Sequence, residues 1–313
     1  MSTSQSTSQT RPRQRQLSDR AIINLFIWPT LILLILMNVL PLIYSLYLSF
    51  TDYSAIRTAV PVWIGIENFI DLLNDEKMWQ FFATTGRYAL ITVSLQTILG
   101  FGLAMLVREK FNGSGLVTTL ILIPMMLSPV VVGLFWKLIY NPTFGYFNYM
   151  IGFLNPATGP DMLASSFARD FVPNLALIAV AIVDVWMWTP FVMLLVLSGL
   201  KAIPDYLYEA AAIDRANSWF QFWRITVPQV MPLLMIAILF RTIEAFKSFD
   251  LVMGMTGGGP GVQTELIAIN LYRQAMLGTW DTGRSSALAY MILIIILAVS
   301  NLYILYLNRM RGE

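Results

Sequence analysis

Tyr206-Leu-Tyr-Glu-Ala-Ala-Ala-Ile-Asp-Arg-Ala-Asn-Ser-Trp-Phe-Gln-Phe-Trp-Arg-Ile-Thr-Val-Pro228 is a polar interruption between two long apolar segments. Its pattern is that of two short helices lying across a membrane surface. Pro204 and Asp205 suit a first helical turn, where a missing N–H costs nothing and a negative charge meets the helix dipole. Glu209, Ala210, Ala211 and Ala212 follow as a strongly helical patch whose small side chains let another backbone approach closely. Ser218-Trp-Phe-Gln221 reads as a capping box opening a second short helix, with Asn217 as a competing cap. Phe220, Phe222 and Trp223 add aromatic bulk, and Pro228 and Pro232 mark the return to an apolar span.

Composition sets the setting of this stretch. Of 313 residues, 57% are hydrophobic and 12% charged, and the mean hydropathy is +0.66. Soluble globular domains carry about 25% charged residues, so the chain belongs in a bilayer. A net charge of +2 gives no reason to expect nucleic acid. The chain has no Cys and no His, which removes disulfides, thiolates, the commonest metal ligand and every Ser-His or Cys-His catalytic pair. No lysine among Lys77, Lys110, Lys137, Lys201 and Lys247 follows a Gly, so the chain holds no GxxxxGK[ST] phosphate loop. Any ATP must be bound by another chain, and neither a cofactor nor a metal is expected here.

Six apolar segments reach the roughly 20 residues that cross a bilayer. They lie at 22–48, 87–107, 116–139, 173–197, 229–250 and 286–308. Pro29, Pro41, Pro124, Pro129, Pro190 and Pro232 fall inside them, tolerated where neighbouring helices satisfy the freed backbone. Residues 1–20, rich in Ser, Thr and Gln with Arg11, Arg13, Arg15 and Arg20, read as a disordered basic tail on the cytoplasmic side. Six spans then put both termini and the 198–228 loop inside. Arg11, Arg13, Arg15, Arg20, Arg108, Lys110, Lys201, Arg215, Arg224, Arg309 and Arg311 fall inside, against Arg57, Lys77, Arg87, Lys137, Arg169, Arg273 and Arg284 outside, a bias in the expected direction. The outer segments 51–86, 140–172 and 251–285 are too short for separate domains and read as interfacial helices and lids. Trp63, Trp79, Tyr146 and Tyr149 suit the headgroup level.

Two clusters of polar residues interrupt the spans. Arg241, Glu244, Lys247 and Asp250 are spaced by three, so Arg241–Glu244 and Lys247–Asp250 can pair on one helix. They either merely pair or line a transport path, with Phe246 and Phe249 as apolar walls. Asp184-Val-Trp-Met-Trp-Thr-Pro190 offers Asp184, Trp188 and Thr189, a carboxylate and hydroxyl beside an aromatic face, as a sugar site requires. A packing Trp pair with a satisfied Asp explains the same residues. Gly257, Gly258, Gly259 and Pro260 then form an outer loop free to take positive φ.

Glu209-Ala210-Ala211, Asp214, Ala216, Phe222, Ile225 and Pro228 resemble the EAA loop of ATP-binding-cassette importer permeases. Arg215 departs from the Gly usual in that family; if the Gly is left-handed, Arg is strained by roughly 1–2 kcal/mol. Either the turn is built differently or Arg215 adds a partner contact. The segment from Glu244 through Asp250 to Thr256-Gly-Gly-Gly-Pro260 and Thr264 is similar to one marking the carbohydrate-importing members. The resemblance covers nearly all of the chain beyond residue 20. It implies an all-α polytopic membrane protein, with six transmembrane helices and a cytoplasmic coupling helix, in the inner membrane of a prokaryote. It also implies a second permease, two ATPase subunits that bind ATP and Mg, and an external binding protein delivering a sugar, oligosaccharide or polyol-like solute. Glu209, Ala210, Ala211, Asp214, Arg215, Ala216 and Phe222 would meet the ATPase; Asp184, Trp188, Thr189, Glu244, Lys247, Phe249 and Asp250 would line the path. The alternative is a secondary transporter driven by an ion gradient, coupled through Asp184 or the charges of the fifth span.

Overall fold

The computed structural model describes residues 19–57, 60–109, 111–141, 175–278 and 280–311. The basic tail up to residue 18, Tyr146, Tyr149 and most of the 140–172 segment lie outside them. Helix dominates because apolar chain without water must satisfy its own N–H and C=O groups. Asp19–Leu34, a π turn at Ile35–Val39, and Leu40–Leu48 run as one helix, α1. There follow α2 (Glu67–Asn74), α3 (Glu76–Val107), α4 (Ser114–Leu122), α5 (Pro129–Ile139) and α6 (Leu175–Ala202). The rest of the chain forms α7 (Asp205–Ile213), α8 (Ser218–Gln221), α9 (Val227–Phe246), α10 (Asp250–Met255), α11 (Ile267–Tyr272) and α12 (Thr282–Arg311).

Among the described residues, five helices are long and apolar enough to cross a membrane: Ile23–Leu48, Glu76–Val107, Leu175–Ala202, Ser218–Phe246 and Thr282–Arg309. The third apolar segment of the sequence, 116–139, is not one rod. It splits into α4, a 3₁₀ turn at Pro124–Met126, and α5. Pro129 is the cause: its ring pushes the preceding residue out of the helical region, and Leu127 and Ser128 are both extended, with ψ 151° and 131°.

The fifth span also differs from its expected 229–250. It begins at Ser218 and passes through a π turn, Phe222–Thr226, into α9 without turning back at Pro228. Pro228 follows that π turn at the offset by which Pro41 follows the π turn of α1. A widened turn accommodates the ring that would otherwise strike the preceding helix backbone. At its other end α9 stops at Phe246, so Asp250 sits in the first turn of a separate helix, α10.

The bundle centres on α6, packed most extensively on α3. Close approach is set by small residues: a Cβ at Gly100 would lie 2.7 Å from the Cβ of Val192. One buried cluster, including Ala104, Val192, Val196, Leu200 and Val230, fills the end near the 203–226 loop. Another, including Tyr88, Val183, Met187, Ala245 and Val252, fills the opposite half. On α3, Leu90, Ile98 and Leu106 stay 67–75% exposed, an apolar stripe suited to lipid. At the end away from the loop, α5 and α10 cross at Gly133 and Gly254, where a Cβ on Gly133 would sit 2.6 Å from the Leu251 carbonyl oxygen.

That end is closed by short elements. Strands β1 (Thr51–Asp52) and β2 (Val62–Trp63) pair antiparallel. Asn68 donates to the Ser49 and Thr51 carbonyls at 3.0 Å each, fixing α2 beneath them.

Candidate functional site

Two places combine polar chemistry with shape. The first is the 203–226 loop. Pro204 caps α7, Asp205 occupies its first turn, and the helix ends in a Schellman motif. The Ala216 N–H donates to Ala211 O at 2.9 Å and the Arg215 N–H to Ala212 O at 3.0 Å. This motif needs a left-handed residue, and Arg215 supplies it with φ 55°. The expected departure from Gly is therefore a non-glycine residue in the strained conformation, and its side chain is exposed.

Asn217, rather than Ser218, caps α8: its side chain accepts from the Phe220 N–H at 2.8 Å. Gln221 donates its side-chain amide to the Ala216 carbonyl at 3.0 Å. The bend between α7 and α8 encloses an open groove of about 590 Å³, lined by Leu207, Ala210, Ala211, Asp214, Arg215, Ala216, Asn217, Phe220 and Ile225. Ala211 is buried in its floor and Ala210 exposed at its lip. Glu209 is exposed on the same helix, and Phe222 meets Phe101 of α3 edge-on at 5.7 Å.

The second place lies between α3, α6 and α9. Arg241 Nη2 donates to Asp184 Oδ2 at 3.1 Å, and Arg241 Nε to Gln96 Oε1 at 2.8 Å. Gln96 Nε2 returns a bond to Asp184 Oδ2 at 2.8 Å and another to the Asp184 carbonyl at 3.1 Å. The guanidinium lies 4.8 Å from the centre of the Trp188 ring. Three spans thus share one neutral, satisfied network, which is how a bilayer interior tolerates two charges.

The expected pairings within the fifth span are not those found. Arg241 turns to Asp184, not to Glu244. Lys247 pairs with Glu244 at 3.1 Å in the open, because the helix ends before Asp250 could fall on its face. Gln96 escaped the sequence reading, although a lone amide in an apolar span was its signal.

Beside this network, Trp188, Phe191, Phe240, Arg241 and Glu244 line a cavity of about 250 Å³. Phe191 and Phe240 were not foreseen, though each follows from helical spacing to Trp188 and adjacency to Arg241. A smaller space of about 90 Å³ adjoins it, touched by Asp184, Trp188, Arg241, Glu244, Lys247, Ser248, Phe249 and Asp250 among others. Phe249 leans on Tyr272 at 5.0 Å. Thr189 is the exception among the expected path residues: it is buried and donates to Val185 O at 2.6 Å within its own helix.

The glycine loop is held firmly. Gly257 and Gly258 take φ 60° and 96°, and the Gly259–Pro260 bond is cis. Thr264 donates to Gly259 O at 2.7 Å, while Arg273 donates to the Gly257 carbonyl and, at 2.7 Å, to the buried Glu265 carboxylate. A Cβ on Gly258 would lie 3.2 Å from the Arg273 guanidinium, so no side chain fits comfortably there.

Residues 96–312 match the family described as binding-protein-dependent transport system inner membrane component. A probable ABC transporter permease protein of Sinorhizobium fredii, y4oQ, is 36% identical over 276 residues, covering 88% of this chain and 86% of that one. The trehalose/maltose transport system permease protein MalF of Thermococcus litoralis is 32% identical over 280 residues, covering 90% and 91%. The sulfoquinovosyl glycerol transport system permease protein SmoG of Agrobacterium fabrum is 32% identical over 296 residues, covering 93% and 92%. In fold, a chain of a bacterial ABC transporter importing the acidic polysaccharide alginate superposes with TM-score 0.78 at 19% identity, over 92% of this chain and 95% of that one.

Proposed function

Because the chain belongs to the family of binding-protein-dependent transport system inner membrane components, we propose that it forms part of the path of an ATP-driven importer for a sugar, oligosaccharide or polyol-like solute. The observation that carries this reading is the groove closed by the Schellman turn at Arg215. Its exposed Ala210 permits close approach, and Glu209 and Asp214 offer charge beside it, a surface suited to an ATPase subunit. That subunit binds and hydrolyses ATP with Mg; the permease contributes motion only. The loop faces the cytoplasm, as do both termini, in the inner membrane.

Sugar relatives extend the reading to the solute. MalF of Thermococcus litoralis is named for trehalose and maltose, and the alginate transporter has been seen with a pentasaccharide-bound periplasmic protein. In this chain Trp188, Phe191 and Phe240 supply apolar faces for the C–H side of a sugar ring, with the exposed Glu244 carboxylate at the margin as a hydrogen-bonding group, while Arg241 is spent on Asp184 and Gln96. The cavity's 250 Å³ falls below the roughly 300–1,000 Å³ of a complete small-molecule site. A second permease facing it completes the path, and the glycine loop at the opposite end of the bundle from the ATPase groove lies on the side where an external binding protein delivers solute. An ion-coupled mechanism through Asp184 has little room, since Arg241 and Gln96 already occupy that carboxylate.

The test is uptake by proteoliposomes holding the complete transporter with its binding protein, using trehalose, maltose and glycerol-linked sugars as probes. Uptake should require ATP and be lost in Glu209→Lys. Uptake that survives ATP depletion but collapses with the ion gradient contradicts the proposal.

A further inference from the structure

The loop is joined to the rest of the bundle by more than the peptide chain. Arg108, one residue beyond α3, places its guanidinium 4.6 Å from the centre of the Tyr208 ring and donates from Nη1 to the Tyr208 hydroxyl at 3.2 Å. The same hydroxyl lies 2.9 Å from Thr226 Oγ1, buried in the π turn that leads into α9. Arg108 can only donate, so the phenol proton is directed to Thr226, whose own hydroxyl then faces the Gln221 carbonyl at 3.5 Å. Two turns up α3, Phe101 meets Phe222 edge-on.

We infer that Tyr208, clamped between Arg108 and Thr226, is the transmission residue that makes α3 and α9 move with the α7 groove. The inference rests on the proposed coupling role of that groove. Apolar packing of Leu207 against the cluster that holds Ala104 and Val107 already brings α7 to α3, and the clamp adds a directional polar tie between them. With it, α3 becomes a rigid strut. About 18 Å along that helix from Arg108 stands Gln96, bonded to both Arg241 and Asp184. Further on, the Tyr88 hydroxyl lies 3.3 Å from Ser248 Oγ, and Thr85 accepts from the Ile267 N–H at 2.9 Å. A single helix therefore reaches α7 beside the groove, the polar network beside the candidate path, and the far end of the bundle.

The native chain lacks cysteine, so nitroxide pairs can be placed cleanly. Leu106→Cys on α3 and Tyr206→Cys on α7, both exposed, report on the clamp in the complete transporter in nanodiscs. The expected result is one narrow distance, unchanged between the nucleotide-free and ATP–vanadate-trapped states, that broadens in Tyr208→Ala together with loss of binding-protein-stimulated ATP hydrolysis. Tyr208→Phe, which keeps the ring under Arg108 but loses both hydrogen bonds of the hydroxyl, should broaden the distance less than Tyr208→Ala; a Phe variant indistinguishable from the parent overturns the Thr226 arm of the clamp. A vanadate-trapped parent complex in which the 106–206 distance shifts overturns the inference alone. A parent complex that traps no nucleotide overturns the coupling role on which it rests. The parent measurement needs no variant at position 208, so poor assembly of Tyr208→Ala does not shield the inference; Arg108→Ala then serves for the broadening.

Discussion

Arg241 and Asp184, 57 residues apart in sequence, meet at 3.1 Å with both side chains only 4% exposed. Their partner Gln96 comes from a third span, so the network holds α3, α6 and α9 in one register. Removing either charge leaves the other buried without a mate, a loss of about 3–5 kcal/mol. Asp184→Ala and Arg241→Ala should each lower the thermal midpoint of the purified complex sharply. The double variant should cost clearly less than the sum of the two, as expected for groups in contact. Simple additivity would show that the pair does not act as a unit.

Arg215 holds the left-handed position of the turn after α7 with φ 55°. Glycine adopts that conformation without the Cβ penalty, so Arg215→Gly should stabilise the subunit by about 1 kcal/mol. Arg215→Val, branched at Cβ, should destabilise it. Thermal unfolding followed by intrinsic fluorescence reads both. If Arg215→Gly lowers the midpoint, the Arg side chain makes a contact that outweighs the backbone strain.

Gly133 lets the backbones of α5 and α10 cross, since any Cβ there would lie only 2.6 Å from Leu251 O. Backbone cannot yield as a flexible side chain can. Gly133→Val should cost about 1–3 kcal/mol through overpacking, seen as lower yield of monodisperse complex and an earlier melting transition. Gly102, in helix α3 with open space around its Cβ position, is the control: Gly102→Ala should not lower the midpoint.

Much of this architecture was legible in the chain itself, and the failures share a cause. The apolar runs announced the spans because bilayer thickness fixes their length. Pro204 through Asn217 announced the α7 segment and its turn because polar residues and caps have local signatures, whereas Ser218 onward belongs to the next span. What escaped was non-local. Arg241 finds Asp184 only once three helices are packed, while its sequence neighbour Glu244 offered an equally good pairing on paper. Pro228 looked like a turn, yet the π turn before it lets the helix continue, and such widening leaves no pattern in the residues. Pro129 broke the third span where Pro190 and Pro232 did not break theirs. Proline position alone does not distinguish these outcomes.

Glu209 is exposed on α7 close to the groove but outside its lining. Glu209→Lys should leave the subunit inserted and the complex assembled, while solute-stimulated ATP hydrolysis falls about tenfold, equivalent to about 1.4 kcal/mol of activation free energy. Stimulation at the parental level in that variant would remove Glu209 from the docking surface.

Ile213, at the end of α7 and 83% exposed, gives the most direct test of where this loop lies and what covers it. In the otherwise cysteine-free chain, Ile213→Cys can be probed with a membrane-impermeant maleimide. Labelling is predicted in inverted membrane vesicles stripped of ATPase, suppressed when the ATPase is restored, and absent in right-side-out vesicles. Labelling of Ile213→Cys from the outer face, or labelling indifferent to the ATPase, would contradict a cytoplasmic loop gripped by an ATP-hydrolysing partner.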